Sequence, residues 1–311
     1  MDNDIKGILL AIIAGASFGL IPLFCIPVVE SGMGYTSIIF WRFFFGSLGM
    51  LGMMGYKHQS LSISWSDFWR ISILSIIYLI CAYTLFISYN YISSGISTAM
   101  IYTNPIWCAI IGLLFLGDRF SWRVTSAILM TFVGVALLAG VDPMALIGQT
   151  DGGFMSAVAG GKTPGLAWLG VFLGLCSGIG YGIYLVVLPR LRLKKMPSLK
   201  FTFYIFSLAL IYLLPVSAIE GTGIEFAVTP EAWLNLILLG LLPTAFSNIC
   251  VTMALRMIDT TVVSVLGAFE PLTAMVIGIL VLHEPFDAFT IIGGLMVLVG
   301  VMLITVRKSA A

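Results

Sequence analysis

Residues 260–282 read TTVVSVLGAFEPLTAMVIGILVL, an apolar run with one charged side chain, Glu270. A transmembrane helix needs about 20 consecutive apolar residues. Lipid offers no partner to backbone polar groups, so a run of this length is predicted to cross the membrane as a helix. The run is the most informative part of the chain because a second copy of its pattern lies earlier in the sequence.

The second copy is residues 94–116, SGISTAMIYTNPIWCAIIGLLFL, which align with residues 260–282 without a gap. The pair Asn104-Pro105 falls on Glu270-Pro271, and the correspondence continues downstream to Gly134 and Gly300. We predict an internal duplication on this match. Both prolines are predicted to kink their helices, either as gates or as simple bends.

Glycines near the start of the chain repeat as well. Gly15 and Gly19 fall on Gly178 and Gly182 when residue 7 is aligned with residue 170. Each pair is spaced by four residues, which places both glycines on one helix face and lets a neighbouring backbone approach closely. The pattern predicts helix packing at these positions, either static or sliding during a conformational change.

Ten apolar runs of about this length occur along the chain, and none alternates apolar with polar residues as a membrane β-strand does. The predicted fold is therefore an all-α membrane protein with ten transmembrane helices. The runs are Gly7–Val29, Tyr35–Met54, Phe68–Asn90, Ser94–Leu116, Trp122–Gly140, Gly165–Leu188, Phe201–Ile219, Ala232–Ala254, Thr260–Leu282 and Ala288–Val306.

The composition excludes several other classes of protein. Of the 311 residues 60% are hydrophobic and 9% charged, whereas a soluble domain has about 25% charged residues. The net charge of +1 provides no basic surface for nucleic acid. The five cysteines lie in apolar runs without metal-ligand spacing, and nucleotide-binding and catalytic motifs are absent. We therefore expect no enzyme activity, no metal and no cofactor.

The distribution of basic residues predicts the orientation. With a cytoplasmic N-terminus, thirteen Lys and Arg residues fall on the cytoplasmic side, and Lys162 alone falls outside. This bias follows the positive-inside rule, so both termini are predicted to be cytoplasmic, in the cell (inner) membrane. The predicted organisation is a five-helix half at residues 1–141, an extracytoplasmic linker at 142–164 and a second half at 165–311.

An odd number of helices in each half has a topological consequence. A second copy of a five-helix unit must enter the membrane from the opposite face, so the halves are predicted to be inverted repeats. Repeats of this kind are typical of secondary transporters, which bind their solute near the membrane midplane.

Further segments belong to a recognisable pattern: Trp41-Arg42-Phe43, Leu266–Pro271 (LGAFEP), Leu282–Phe286 (LHEPF) and Ile291–Val301. On these segments the chain resembles the ten-helix, EamA-like members of the drug/metabolite transporter superfamily. The resemblance implies a transporter of small organic solutes and favours export. It leaves the solute open, because similar proteins export amino acids, drugs, purines or other metabolites.

Two full charges lie deep in apolar runs, Arg42 and Glu270. Each costs about 2.5–3.5 kcal/mol at a helix centre, so neither is expected to face lipid. Glu270 is interpreted as a protonatable coupling group or a ligand for a solute amine, or else as a buried carboxyl that joins helices. Arg42, about 10 Å from the end of its run, either binds a carboxylate or reaches the interface or backbone carbonyls.

Aromatic and amide side chains complete the predicted solute pathway. Deep tyrosine hydroxyls need partners and their rings suit an organic solute, although simple packing is an equally open interpretation. Beside Arg42 and Glu270, the candidates are Asn104, Trp107, Tyr78, Tyr83, Tyr102, Tyr184 and Asn248.

Together these features predict a secondary transporter that works by alternating access, foremost an exporter of amino acids or related compounds. The alternatives are an importer or facilitator of a nucleobase, amine or drug-like solute, and a non-transporting membrane subunit. The expected partners are a small-molecule solute and the lipid bilayer. Coupling to protons and the oligomeric state stay open.

Overall fold

The computed structural model describes residues 3–88, 90–92, 97, 100–117, 120–138, 164–190, 196–221, 223–227, 229–281 and 288–305. Within these ranges the chain forms helices, turns and loops, without a strand. The helices are α1 (Asn3–Phe18), α2 (Ile21–Glu30), α3 (Tyr35–Tyr56), α4 (Trp65–Ser88), α5 (Asn104–Phe115), α6 (Trp122–Leu138), α7 (Ala167–Val187), α8 (Ser198–Glu220), α9 (Pro230–Gly240), α10 (Ser247–Ala254), α11 (Thr260–Leu266), α12 (Phe269–Leu280) and α13 (Ala288–Thr305).

Seven helical spans of the described chain are long and apolar enough to cross a membrane. They are Asn3–Glu30, Tyr35–Tyr56, Trp65–Ser88, Ala167–Arg190, Ser198–Glu220, Pro230–Ala254 and Thr260–Ile277. Three shorter apolar helices cover Asn104–Phe115, Trp122–Leu137 and Ile291–Leu303. The protein is therefore an all-α, multi-pass membrane protein, while the count of ten crossings and the cytoplasmic termini remain predictions.

The predicted linker falls almost wholly outside the described residues. Only Pro164, its last residue, is included, at the start of a short 3₁₀ turn that precedes α7. Residues 282–287, which contain the whole LHEPF segment, are outside the described ranges as well.

The apolar run that contains Glu270 forms two helices, not the one continuous helix that was predicted. α11 ends at Leu266, a turn covers Gly267 and Ala268, and α12 then begins, with Glu270 in its first turn. Pro271 follows in that same turn. Proline is tolerated there because the first N–H groups of a helix have no partner within it. The predicted kink is thus a helix start.

The repeat of that run has the same interruption. Tyr102 and Thr103 form a turn, and α5 begins at Asn104 with Pro105 at its N-terminus. The first run is also divided, because a turn at Gly19 and the following residue separates α1 from α2. Within the described residues, three of the predicted apolar runs therefore contain helix ends inside their length.

The chain divides into two compact units. The first contains Met1–Leu79 and Val187–Ile258, and the second contains Ile80–Val186 and Asp259–Ala311. Each unit thus combines segments from both predicted halves.

Close helix crossings organise the first unit. α3 packs against α8, where the rings of Phe43 and Phe206 stack with centroids 5.0 Å apart. α3 also packs against α9 at Gly240, where an added Cβ would lie 2.9 Å from the carbonyl oxygen of Arg42. α1 packs against α10, and a Cβ at Gly7 would lie 2.7 Å from the side chain of Ile258. Ring stacking and close approach at glycine together set the positions of these helices.

Glycine crossings recur in the second unit. α6 packs along α13, where a Cβ at Gly134 would lie 2.8 Å from the backbone nitrogen of Val297. One at Gly300 would lie 3.1 Å from the backbone nitrogen of Thr131. No side chain fits at either glycine without moving a backbone.

The loop after α8 folds back over the start of α3. α8 ends at Gly221, whose φ of 73° is a left-handed conformation that glycine adopts without strain. The Glu225 carboxylate accepts a hydrogen bond of 2.5 Å from the N–H of Gly34, and the Glu225 N–H donates to Ser37 Oγ at 2.9 Å. Trp41 Nε1 donates to the Glu225 carbonyl at 2.8 Å. Glu225 therefore caps a helix distant in sequence, where the helix dipole stabilises its charge.

The loop before α4 makes the corresponding contacts with the start of α8. Lys200 Nζ donates to the Ser62 carbonyl at 2.5 Å, and Tyr204 OH donates to the Leu61 carbonyl. Tyr204 falls on Trp41 in the same alignment that places Gly178 on Gly15. We call these two sets of contacts the loop clamps.

Replacing Gly134 by valine should lower the stability of the purified protein by about 1–3 kcal/mol, because the neighbouring backbone has to move. Gly52→Val is the matched control, since no atom lies within 4 Å of a Cβ added there. The measurement is thermal unfolding in detergent. Equal unfolding temperatures for the two variants would contradict the close backbone approach of α6 and α13 at Gly134.

Glu225→Ala should lower the stability by about 1 kcal/mol, the usual effect of removing a helix cap. Glu231→Ala removes an exposed carboxylate from the first turn of α9 and serves as the control. The same unfolding assay compares them. If both variants unfold at the same temperature as wild type, the carboxylate does not stabilise α3.

Candidate functional site

The first group of candidate side chains centres on Arg42, which is 8% exposed and lies about two turns into α3. Its Nε donates to Thr244 Oγ1 at 2.6 Å, and Thr244 Oγ1 donates to the Leu239 carbonyl at 2.8 Å. That carbonyl needs a donor, because Pro243, four residues later, has no N–H. The chain is π-helical over Leu241–Phe246, a distortion often found at functional sites.

The network of hydrogen bonds continues along α10. Asn248 Nδ2 donates to the Thr244 carbonyl at 2.9 Å and lies 3.5 Å from Tyr78 OH. Thr252 Oγ1 donates to the Asn248 carbonyl at 2.7 Å and lies 3.4 Å from Thr202 Oγ1. A chain of buried polar groups therefore runs from Arg42 to Thr202 within the first unit.

Aromatic rings enclose the residue beside Arg42. Trp41 makes edge contacts with Trp233 and Phe226, with centroids 4.7 and 5.3 Å apart, and lies 5.9 Å from Phe45. Such contacts prefer particular ring geometries, so they hold α3 in one rotation about its axis. This rotation directs Arg42 towards the π-helical turn.

The second group lies in the other unit, at the start of α5. Asn104 is 3% exposed, and its Nδ2 donates to the Ile101 carbonyl at 2.9 Å. Its Oδ1 is enclosed and has no hydrogen-bond donor among the described residues. One turn on, Trp107 Nε1 donates to Thr103 Oγ1 at 3.1 Å. This helix start thus presents an amide and an indole on one segment.

The predicted glycines of α7 lie against this segment. A Cβ at Gly178 would lie 2.6 Å from the Met100 carbonyl oxygen, and one at Gly182 would lie 2.9 Å from Trp107 Cβ. Gly15 is buried in α1, and Gly19 is in the turn that follows α1. The α7 glycines therefore bring the interrupted helix close to α7.

Glu270 is at the start of α12 in the same unit and is half-buried. Its N–H donates to the Gly267 carbonyl at 2.9 Å, which closes the turn between α11 and α12. The first turn of a helix is also where the positive end of its dipole lies. α11 packs against α5, whose first residue Asn104 is the repeat counterpart of Glu270.

The remaining tyrosine candidates also belong to the second unit. Tyr184 is 1% exposed, and its ring is parallel to that of Tyr181 at 6.1 Å. Tyr102 is 5% exposed and Tyr83 is half-buried. The rings of Tyr184 and Tyr102 are therefore inside the protein, and that of Tyr83 is partly exposed.

The structure divides the predicted pathway residues into two groups. The first unit joins Arg42, Asn248 and Tyr78 through one network, and the second holds the other candidates. Sequence reasoning missed Thr244, although a threonine directly after a proline in an apolar run is a usable signal. Among the described residues no cluster of three His, Cys, Asp or Glu side chains could hold a metal ion.

Comparisons with known proteins are consistent across the chain. The model of the EamA-like transporter family matches residues 5–140 and again 168–306. An "Uncharacterized transporter" of Archaeoglobus fulgidus is 24% identical over 273 residues, 88% of each chain. The "Uncharacterized transporter YoaV" of Bacillus subtilis is 23% identical over 285 residues, 91% of this chain and 88% of that protein.

The fold is shared with solved structures, among them one crystal structure. It has a TM-score of 0.75 and 16% sequence identity, and the match covers 98% of this chain and 99% of that one. The helical fold, the apolar spans and the two family matches lead to one conclusion. The chain is a multi-pass membrane transporter, and it belongs to the EamA-like transporter family of the drug/metabolite transporter superfamily.

Proposed function

We propose that the protein is a secondary transporter of small organic solutes that works by alternating access and exports amino acids or related compounds. One observation carries the proposal: two apolar runs related by the repeat are interrupted within one residue of the same point, where one helix begins at Asn104 and the other at Phe269, directly before Glu270. Transporters place solute and ion sites at such interrupted helices, where half-helix ends and side chains offer polar groups at membrane depth.

The proposed inverted repeats are supported by contacts that recur at related positions. Gly134 packs on Val297, and Gly300 packs on Thr131. Gly300 is the repeat counterpart of Gly134, and Val297 is the repeat counterpart of Thr131. This reciprocity is what a two-fold relation produces, because each partner then contacts the counterpart of the other. It favours halves at 1–141 and 165–311, joined by the linker 142–164.

A second pair of contacts supports the same relation. Gly7 packs on Ile258 in the first unit, and Gly170 packs on Ile92 in the second. Gly170 is the repeat counterpart of Gly7, and Ile258 is that of Ile92. In the proposed arrangement ten helices cross the membrane, with both termini cytoplasmic.

Glu270 is the proposed coupling group. It is the one carboxylate of the predicted pathway, and Asn104 at the related position cannot change charge. A carboxylate with this placement either exchanges a proton or binds a solute amine. The other pathway residues, including Trp107 and Tyr184, are proposed to contact the body of the solute.

Glu270→Gln should abolish export, because glutamine keeps the shape but neither ionises nor carries a proton. The measurement is the metabolite composition of spent medium from cells with equal amounts of membrane-inserted wild type, Glu270→Gln or Glu231→Gln. Glu231 is exposed at the start of α9 and is the matched control. At least one amino acid or related compound should accumulate with wild type and the control only.

The same experiment identifies the alternatives. Identical media from wild type and Glu270→Gln would contradict the role of this carboxylate. A metabolite depleted from the medium by wild type would indicate an importer. Poor membrane insertion of Glu270→Gln alone would favour the interpretation that Glu270 joins helices.

The proposed orientation predicts opposite labelling of two engineered cysteines. In right-side-out vesicles an impermeant maleimide should label Glu231→Cys, and should label Ser62→Cys only after permeabilisation. Four of the native cysteines are buried and Cys176 is half-buried, so background labelling is measured on wild type. Labelling of both sites in sealed vesicles would refute the proposed number of crossings between them.

A further inference from the structure

We infer that Arg42 binds the carboxylate of an anionic or zwitterionic solute and that Thr244 is the positioning residue that orients its guanidinium. That the bound species is the transported solute rests on the proposed function. The recognition of a carboxylate at Arg42 is argued from the first unit by itself.

The charge of Arg42 is not neutralised within its unit. The side chain is 8% exposed, and no carboxylate of that unit lies within 4.0 Å of it among the described residues. Its hydrogen-bond partner there is the neutral hydroxyl of Thr244. Burial of a cation without a counter-charge is strongly unfavourable. An anion that arrives from solution would supply the missing charge.

The two Nη groups are positioned to accept such an anion. Nε is occupied by Thr244, and the Nη groups have no partner within the described part of the unit. Neither Nη group is fully enclosed by the described residues, so an anion can reach them. The free Nη edge of a guanidinium binds the two oxygens of a carboxylate in parallel, with greater strength than neutral hydrogen bonds.

The hydroxyl of Thr244 has a fixed polarity. Its single proton goes to the Leu239 carbonyl at 2.8 Å, so its oxygen is an acceptor for Arg42 Nε. The Leu239 carbonyl accepts this proton because Pro243, which has no N–H, cannot donate a hydrogen bond to it. The proline, the π-helical turn and the threonine together therefore hold the guanidinium plane in one orientation.

Arginine modification by phenylglyoxal tests the inference on the purified full-length protein. Peptide mass spectrometry would follow the modification rate of Arg42, with the exposed Arg123 as internal control. The protecting probes are L-leucine and L-phenylalanine, each compared with its carboxamide, which lacks the carboxylate. Arg42 should react in the free protein, and a free amino acid at its Kd should slow the reaction by about half. The amides should not protect, and Arg123 should be unaffected.

Thr244 variants test the positioning role. Thr244→Ser keeps the acceptor and should keep protection. Thr244→Val keeps the shape of the side chain but loses the acceptor for Arg42 Nε. Arg42 should still react with phenylglyoxal, while the amino-acid concentration needed for protection should rise about tenfold. A tenfold change in affinity is the effect expected for the loss of one charge-assisted hydrogen bond. A folded Thr244→Val with unchanged protection would overturn the role of Thr244.

The outcomes for this inference and for the exporter are separable. Three results would each overturn the carboxylate site. They are an Arg42 that does not react, equal protection by the amino acids and their amides, and no protection at amino-acid concentrations up to about 10 mM. Export found in spent medium would then stand without it. Specific protection by the acids supports the site even if no metabolite accumulates outside.

Discussion

The structure depends on the need of every backbone polar group for a partner at membrane depth. An uninterrupted helix meets this need internally, and a proline or a turn does not. In this chain the interruptions coincide with the candidate residues. Pro243 cannot donate a hydrogen bond to the Leu239 carbonyl, and Thr244 Oγ1 donates one instead. The same oxygen accepts a hydrogen bond from Arg42 Nε. Side chains that supply the missing backbone hydrogen bonds thus bring polar groups into the apolar interior.

Packing between helices follows a second constraint, the close approach of backbones at glycine. A Cβ is excluded where α6 crosses α13 and where α1 meets Ile258, just after α10. Since lipid is as apolar as the helices, their association depends on close contact rather than on the hydrophobic effect. The loop clamps add polar contacts at the ends of the apolar spans, where Glu225 and Lys200 bind backbone groups of distant segments. Each compact unit is held by contacts that combine both halves of the sequence.

Much of the fold could be predicted from the sequence because membrane thickness dictates helix length and composition. The all-α class and the family were predicted from the sequence and are confirmed, and seven helical spans of the described chain are long and apolar enough to cross a membrane. The helix breaks near Asn104 and Glu270 were not predicted, because the hydropathy of the run is the same for one helix and for two half-helices. A proline leaves both interpretations open, and only the local backbone decides between them.

The candidate site was predictable to a different degree. Buried charge marked Arg42 and Glu270 because an ion in lipid is costly. Thr244 escaped notice because threonine is common in apolar runs and its role depends on a contact with a residue far away in the chain. The two groups in which the candidates lie could not be read from the sequence either, since each unit is assembled from separate segments.

The contact between Gly7 and Ile258 has a consequence for biosynthesis. Most of the chain separates its two residues. At about 5–20 residues per second, ribosomes need roughly 12–50 s to add a stretch of about 250 residues. Throughout this interval α1 is inserted without the surface on which it packs in the finished protein. The first helix to emerge is therefore among the last to reach its native contacts, and truncated products would present it to the quality-control proteases of the membrane.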